Sequence, residues 1–210
     1  MQLMLILVAM IVAYLVGALS GALLLAPLFG QADPRTGGSG NAGATNALRT
    51  GGRAYGVAVL LFDLLKGVVA AGIVPWLLLP EASGWAFACG AAGVLGHVYP
   101  VFFGFRGGKG AATLIGVLLV LLPAALVIGL LVWVATLVLT GFVGLSTLLG
   151  MVAVTAWTLV SHAGAVAASL FVLAMLVLVF HTHRGNIRRM HNGSENRFTR
   201  IMLRKPDSQQ

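Results

Sequence analysis

Apolar positions dominate this chain in long unbroken runs, and its polar positions gather in tight clusters between them. Leu3–Phe29 is 27 residues without Asp, Glu, Lys or Arg, and Gly110–His183 is 74 more. A spanning helix needs about 20 apolar residues, so the pattern predicts several membrane helices. The first covers Leu3–Phe29, the second Ala54–Leu79 and the third Trp85–Phe103. Gly110–Phe180 holds either two very long helices or four short ones. Pro123, "TGFVG" (Thr140–Gly144) and "SHAG" (Ser161–Gly164) supply helix breaks that favour four.

Composition agrees with the pattern. Of 210 residues, 59% are hydrophobic and 9% charged, against about 25% charged in soluble domains. The first run has almost nothing before it and is too long for a cleaved leader, so it reads as a retained span.

The net charge of +8 is unevenly spread. Arg35, Arg49 and Arg53 follow the first run, Arg106 and Lys109 follow the third, and the tail holds Arg184, Arg188, Arg189, Arg197, Arg200, Arg204 and Lys205. Positive-inside bias puts all three groups in the cytoplasm. The turn "LPEASG", with Glu81 and no basic residue, suits the outside. Parity then requires an even number of crossings after Gly110. The expectation is an all-α polytopic membrane protein of about seven transmembrane helices, N-terminus outside and C-terminus cytoplasmic, with five spans as the alternative. Residues 1–198 read as one domain, followed by a basic cytoplasmic tail, 199–210. Basic residues beside a membrane mark topology or contact anionic lipid, so no nucleic-acid partner is expected. Cys89, the single cysteine, reads as packing.

By parity, three polar clusters share the cytoplasmic edge. They are "GSGNAGATNALRTGG" (Gly38–Gly52), "GHVYPVFFGFRGGKGAAT" (Gly96–Thr113) and "HTHRGNIRRMHNGSENRF" (His181–Phe198). Glycines let backbone amides approach an anion. Ser39, Asn41, Thr45 and Asn46 add neutral donors, and Arg49 adds a fork suited to phosphate. The bland alternative is a flexible turn. Gly38, Gly40 and Gly43 spell the dinucleotide pattern G-x-G-x-x-G, but a helix precedes them where that fold needs a strand. "RGGKGAAT" resembles a phosphate loop, yet Gly110 follows Lys109 where Ser or Thr is required. What remains is Lys109 among glycines, again suited to an anion, with Arg106 as a possible companion. His183 and Asn186 are three apart and share a helical face; a neutral histidine is the commonest general base. His97 reads as a structural histidine bonding a backbone carbonyl. Asp63 and Lys66, also three apart, read as a mutually neutralising pair within a span. No metal site is expected, since no two of the five acidic residues lie close in sequence.

Together the clusters resemble the bacterial acyl-phosphate:glycerol-3-phosphate acyltransferases, the PlsY family. "GSGNAGATNALR", "GHVYPVFFGFRGGKGAAT" and "HRGNIRRM…GSEN" carry the resemblance, with support from "FDLLKG" and "DPRTGGSGN". It implies a multi-pass protein of the bacterial cytoplasmic (inner) membrane, with its site facing the cytoplasm and no cofactor or metal. It implies transfer of a fatty acyl group from acyl phosphate to the sn-1 hydroxyl of glycerol 3-phosphate, giving 1-acylglycerol 3-phosphate and phosphate at the start of phospholipid synthesis. The implied partners are those two substrates and membrane lipids, with the protein as a monomer. Carried over by motif, His183, Asn186 and Lys109 are catalytic, and Ser39, Arg49, Lys109 and Asn186 bind glycerol 3-phosphate. Gly43, Ala44, Thr45, Asn46, Gly107, Gly108 and Ser146 sit by the acyl phosphate. One position departs: the family often has a serine where this chain has Gly144, so Ser146, Thr147 or backbone is expected to substitute, and Gly144→Ser to be tolerated.

The His-x-x-x-x-Asp signature of another acyltransferase family is absent. A competing reading is a transporter for an organophosphate anion, which expects inverted repeats and midplane polar groups. A third is a lipid-binding scaffold without activity.

Overall fold

The computed structural model describes residues 1–79, 83–199 and 202. The turn holding Glu81 and the basic positions Arg200, Arg204 and Lys205 lie outside them. Among the described residues the chain is helical: α1 (Gln2–Ala18), α2 (Gly21–Leu25), α3 (Ala44–Val68), α4 (Val74–Leu78), α5 (Ala86–Val98), α6 (Ala111–Leu121), α7 (Pro123–Thr140), α8 (Val143–Ser161), α9 (Val166–Thr182) and α10 (Arg184–His191). Ala44–Leu78, Ala86–Phe103, Pro123–Thr140 and Val143–Ser161 are long and apolar enough to cross a bilayer; α9 with α10, bent by 51°, counts as a fifth when the bent pair is taken as one span. α1 and α6 are apolar but shorter. The chain therefore has an all-helical integral-membrane architecture.

Residues 111–182 fold as four helices, α6 to α9, broken where Pro123 and the glycine-bearing turns stand. The first two runs differ from the hydropathy pattern. Leu3–Phe29 is not one helix: α1 ends at Ala18, Leu19 and Ser20 are extended, and α2 begins at Gly21. Every residue at that break is apolar or small, so hydropathy passes over it. The second helix starts ten residues before Ala54, at Ala44, and is interrupted by Gly52 at φ 82°, ψ −176°. Its polar first turns belong to the loop chemistry, and its apolar part begins after the interruption.

Size sorts the residues. Large apolar side chains such as Leu61, Leu65, Trp76, Leu131, Val160 and Val177 are exposed, whereas Ala9, Ala13, Ala22, Ala70 and Ala71 are buried. Lipid tails are as apolar as leucine, so membrane helices associate through small residues that let backbones approach. The α3–α6 crossing shows it: a Cβ on Gly116 would stand 2.0 Å from the Leu64 carbonyl oxygen, and one on Gly67 2.1 Å from that of Thr113.

Two compact units result, Met1–Leu122 and Pro123–Gln210. In the first, α1 packs on α5 and α3 on α6; in the second, α8 packs on both α7 and α9.

Candidate active site

The first unit holds two glycine loops, and each ends at a helix start. In the first loop Gly38 and Gly40 adopt φ of 60° and 68°, and Gly43 caps α3 in extended conformation. Asn46 organises this loop. Its Oδ1 accepts the Ser39 N–H at 2.8 Å, and its Nδ2 donates to the Pro34 and Gly37 carbonyls at 2.7 and 3.1 Å. Both amide hydrogens are thereby used, so Asn46 has no donor left for an anion and acts by shaping the loop. Ser39 and Thr45 are half-buried and Arg49 is exposed.

Gly110, at φ 90°, caps α6 immediately after Lys109. The Gly107 and Gly108 amides are occupied: they donate to the Val98 and His97 carbonyls at 3.2 and 3.1 Å. These two glycines shape the turn; they do not offer their own N–H groups to a ligand. In α3 the Asn46 amide donates to the Gly43 carbonyl at 3.0 Å; the amides of Ala44 and Thr45, and those opening α6, lack intrahelical acceptors by helix geometry and make a natural anion site.

Arg35, which the motif reading passed over, joins the two loops. Its guanidinium grips Asp33 through Nε and Nη2, with Nη2–Oδ2 at 2.7 Å, and its Nη1 donates to the Phe103 and Arg106 carbonyls at 3.0 and 3.3 Å. The side-chain hydrogen bonds from Arg35 hold the Asp33 carboxyl below its ordinary pKa. The only sequence signal was "DPR", a carboxylate and a guanidinium two residues apart.

Beneath the second loop, Asp63 and Lys66 pair at 2.9 Å with both side chains buried. His97 does not bond a carbonyl as expected; its Nδ1 lies 2.9 Å from Lys66 Nζ and 3.5 Å from Asp63 Oδ1. Cys89 is buried and free, in a layer with Ala9, Ala13 and Ala70.

The second unit brings His183 and Asn186 together at the α9–α10 bend, both buried. His183 Nδ1 donates to the Val179 carbonyl at 2.9 Å. A carbonyl only accepts, so in the neutral ring Nε2 is the basic nitrogen. Asn186 Nδ2 donates to Glu195 Oε1 at 2.9 Å, and Arg189 Nε donates to Glu195 Oε2 at 2.7 Å. Glu195 is the residue that sequence reading missed here, although it is the one acidic side chain in a basic segment.

The placement of Ser146 argues against its expected role in place of the family serine. It is fully buried and its one donor bonds the Phe142 carbonyl at 2.8 Å, one turn back. Nor is Gly144 an open slot. A Cβ there would stand 2.9 Å from Asn186 Cβ and 3.0 Å from its Cγ and Nδ2. The spacing argues against the expectation that Gly144→Ser is tolerated, since a side chain there would require Asn186 to shift.

Comparison with known proteins agrees across nearly the whole chain. Residues 7–193 match the family described as glycerol-3-phosphate acyltransferase. The glycerol-3-phosphate acyltransferase of Pseudomonas syringae pv. tomato is 45% identical over 190 residues, covering 89% of this chain and 94% of that protein. The one from Halalkalibacterium halodurans is 41% identical over 192 residues, covering 90% and 93%. Among solved structures, the crystal structure of PlsY, an integral membrane glycerol 3-phosphate acyltransferase, in its glycerol 3-phosphate form superposes with a TM-score of 0.84. It is 36% identical and covers 92% of this chain and 95% of that one. The lysophosphatidic acid form gives 0.81 at 35% identity over the same shares.

Proposed function

The chain belongs to the glycerol-3-phosphate acyltransferase family, a family of membrane enzymes, and from that premise we propose how its residues divide the reaction. The donor is acyl phosphate and the acceptor is the sn-1 hydroxyl of glycerol 3-phosphate. The hydroxyl oxygen attacks the acyl carbonyl carbon and the carbon–oxygen bond to phosphate breaks. Phosphate leaves, and the hydroxyl proton passes to His183 Nε2 or to a substrate phosphate oxygen. The donor is already an activated anhydride, so no protein nucleophile is needed; positioning and cationic stabilisation carry the rate.

Ser39, Arg49, Lys109 and Asn186 hold glycerol 3-phosphate. The acyl phosphate is taken by the Thr45 hydroxyl and the first-turn amides at Ala44 and Thr45. Gly43, Asn46, Gly107 and Gly108 set the loop geometry. The observation that carries this reading is that each glycine loop delivers a helix start beside a cation: α3 with Arg49, and α6 with Lys109. No metal or cofactor enters the scheme.

We further propose seven spans in the bacterial inner membrane, with the N-terminus outside, the C-terminus inside and the site facing the cytoplasm. Residues 1–198 form one monomeric catalytic domain ahead of the basic tail, 199–210. Two contacts support the parity. Arg35 reaches the carbonyls of Phe103 and Arg106, so the ends of the first and third runs share a side. Arg197 lies over the Phe142 ring at 4.5 Å and Phe198 donates to the Gly141 carbonyl, so the α7–α8 turn shares a side with the C-terminal segment.

The residue assignment is tested with Arg49→Ala and Lys109→Ala in detergent-purified protein. Each is expected to raise KM for glycerol 3-phosphate at least tenfold, as loss of a charge-assisted contact of about 1.5–3 kcal/mol implies, with the unfolding midpoint unchanged. Near-normal kinetics in both would make the loops structural only.

A further inference from the structure

We propose that the buried Asp63–Lys66–His97 cluster is a positioning device for the Lys109 loop, an inference that rests on Lys109 being a phosphate ligand. Lys66 has three N–H donors, and each has an acceptor: Asp63 Oδ1 at 2.9 Å, the Leu19 carbonyl at 2.8 Å and His97 Nδ1 at 2.9 Å. An ammonium cannot accept, so His97 Nδ1 is the acceptor and its ring proton sits on Nε2. That fixes the ring plane from one side.

From the other side the ring lies flush on the loop. A Cβ on Gly108 would stand 2.1 Å from His97 Nε2 and 3.0 Å from the Ala42 carbonyl oxygen. Gly108 is thus held between the histidine and the first glycine loop. The His97 carbonyl accepts the Gly108 N–H and the next carbonyl, of Val98, accepts that of Gly107. The His97 ring and carbonyl therefore hold Gly108, and the adjoining Val98 carbonyl holds Gly107, the two residues that precede Lys109.

A purely structural role does not explain the cost. Buried ion pairs are often replaceable by apolar residues without loss of stability, and ionisable groups inside membrane segments are expensive. Here Asp63 Oδ2, Ser20 Oγ and Thr113 Oγ1 are also buried without a hydrogen-bond partner among the described residues. The chain retains a costly polar cluster directly beneath a loop that bears a cation.

Removing one partner of the ion pair strands the other charge, so the three test variants remove both charges together or leave both in place. Asp63→Leu/Lys66→Met removes the pair together. His97→Phe keeps a ring without the acceptor, and His97→Asn keeps an acceptor for Lys66. Each is purified in detergent and assayed for unfolding midpoint, kcat and KM for glycerol 3-phosphate, with Lys109→Ala alongside. The expected result is KM raised about tenfold, the scale of one lost charge-assisted hydrogen bond, in His97→Phe and in the double variant. kcat stays within about threefold, and His97→Asn recovers most of the loss. Unchanged KM in His97→Phe, or parallel falls in kcat and unfolding midpoint with no rescue by His97→Asn, overturns the proposal. If Lys109→Ala itself leaves KM unchanged, it is the Lys109 assignment that fails.

Discussion

Gly144→Ser is the substitution where geometry and family pattern disagree most sharply. The family pattern recommends serine; in the structure a Cβ there requires the Asn186 side chain to shift. Carbon atoms in contact sit roughly 3.5–4.0 Å apart, whereas the new Cβ would stand 2.9 Å from Asn186 Cβ and 3.0 Å from its Cγ. Asn186 must retreat by roughly 0.5–1 Å to restore contact distance. It is held where it is by Glu195, itself gripped by Arg189, so retreat strains or breaks a charge-assisted bond. Overpacking of this kind costs about 1–3 kcal/mol in stability, and a 1 Å misplacement at a reacting group can cost about 10²-fold in rate. The assay is phosphate release from acyl phosphate and glycerol 3-phosphate, with the unfolding midpoint measured in the same detergent. The expectation is a fall in kcat of ten- to a hundredfold, on the scale of such a misplacement, and a lower midpoint. Ser146→Ala serves as control: its hydroxyl bonds only the Phe142 carbonyl, and a neutral bond nets about 1 kcal/mol, so activity should stay within roughly threefold. A Gly144→Ser enzyme as active as the parent, or more so, would refute the packing argument.

Two further outcomes follow from loop geometry. Asn46→Asp replaces the amide nitrogen, which donates to the Pro34 and Gly37 carbonyls, with an oxygen that only accepts. At about 1–3 kcal/mol for each orphaned group, it should lower the unfolding midpoint and raise KM for both substrates; wild-type values would mean that the loop does not depend on that side chain. The Asp33–Arg35 staple should be acid-sensitive. Hydrogen bonds from Arg35 depress the Asp33 pKa, so its contribution is present above the ordinary carboxylate value of about 3.9 and is lost as pH falls below that. Asp33→Asn should lack the staple at every pH and show no extra loss in acid, and identical acid profiles for the two proteins would contradict it.

Much of the fold was legible because proline and glycine mark breaks in an otherwise apolar pattern, as at Pro123 and around Gly141. The break at Leu19–Ser20 was not, because nothing in its composition interrupts the run; it becomes visible only through Lys66, which takes the Leu19 carbonyl, and Asp63, which takes the Gly21 N–H. The Asp63–Lys66 pair was readable from its spacing, but His97 lies 31 residues from Lys66 and joins it only in three dimensions. The same limit explains the site. Sequence shows that Asn46, Ser146, Gly107 and Gly108 own donors; it does not show that those donors are already engaged within the chain. Glu195 went unremarked, and Arg35 was read only as a topology marker, for the opposite reason: their work is to hold other residues, and no motif spacing announces that.

The central claim is acyl transfer from acyl phosphate to glycerol 3-phosphate, and it is tested most directly by following both products in one reaction. Purified protein in detergent, with acyl phosphate, glycerol 3-phosphate and EDTA, should yield 1-acylglycerol 3-phosphate and inorganic phosphate in equal amounts. Neither product in any lipid condition, together with uptake of glycerol 3-phosphate into vesicles holding the protein, would contradict it.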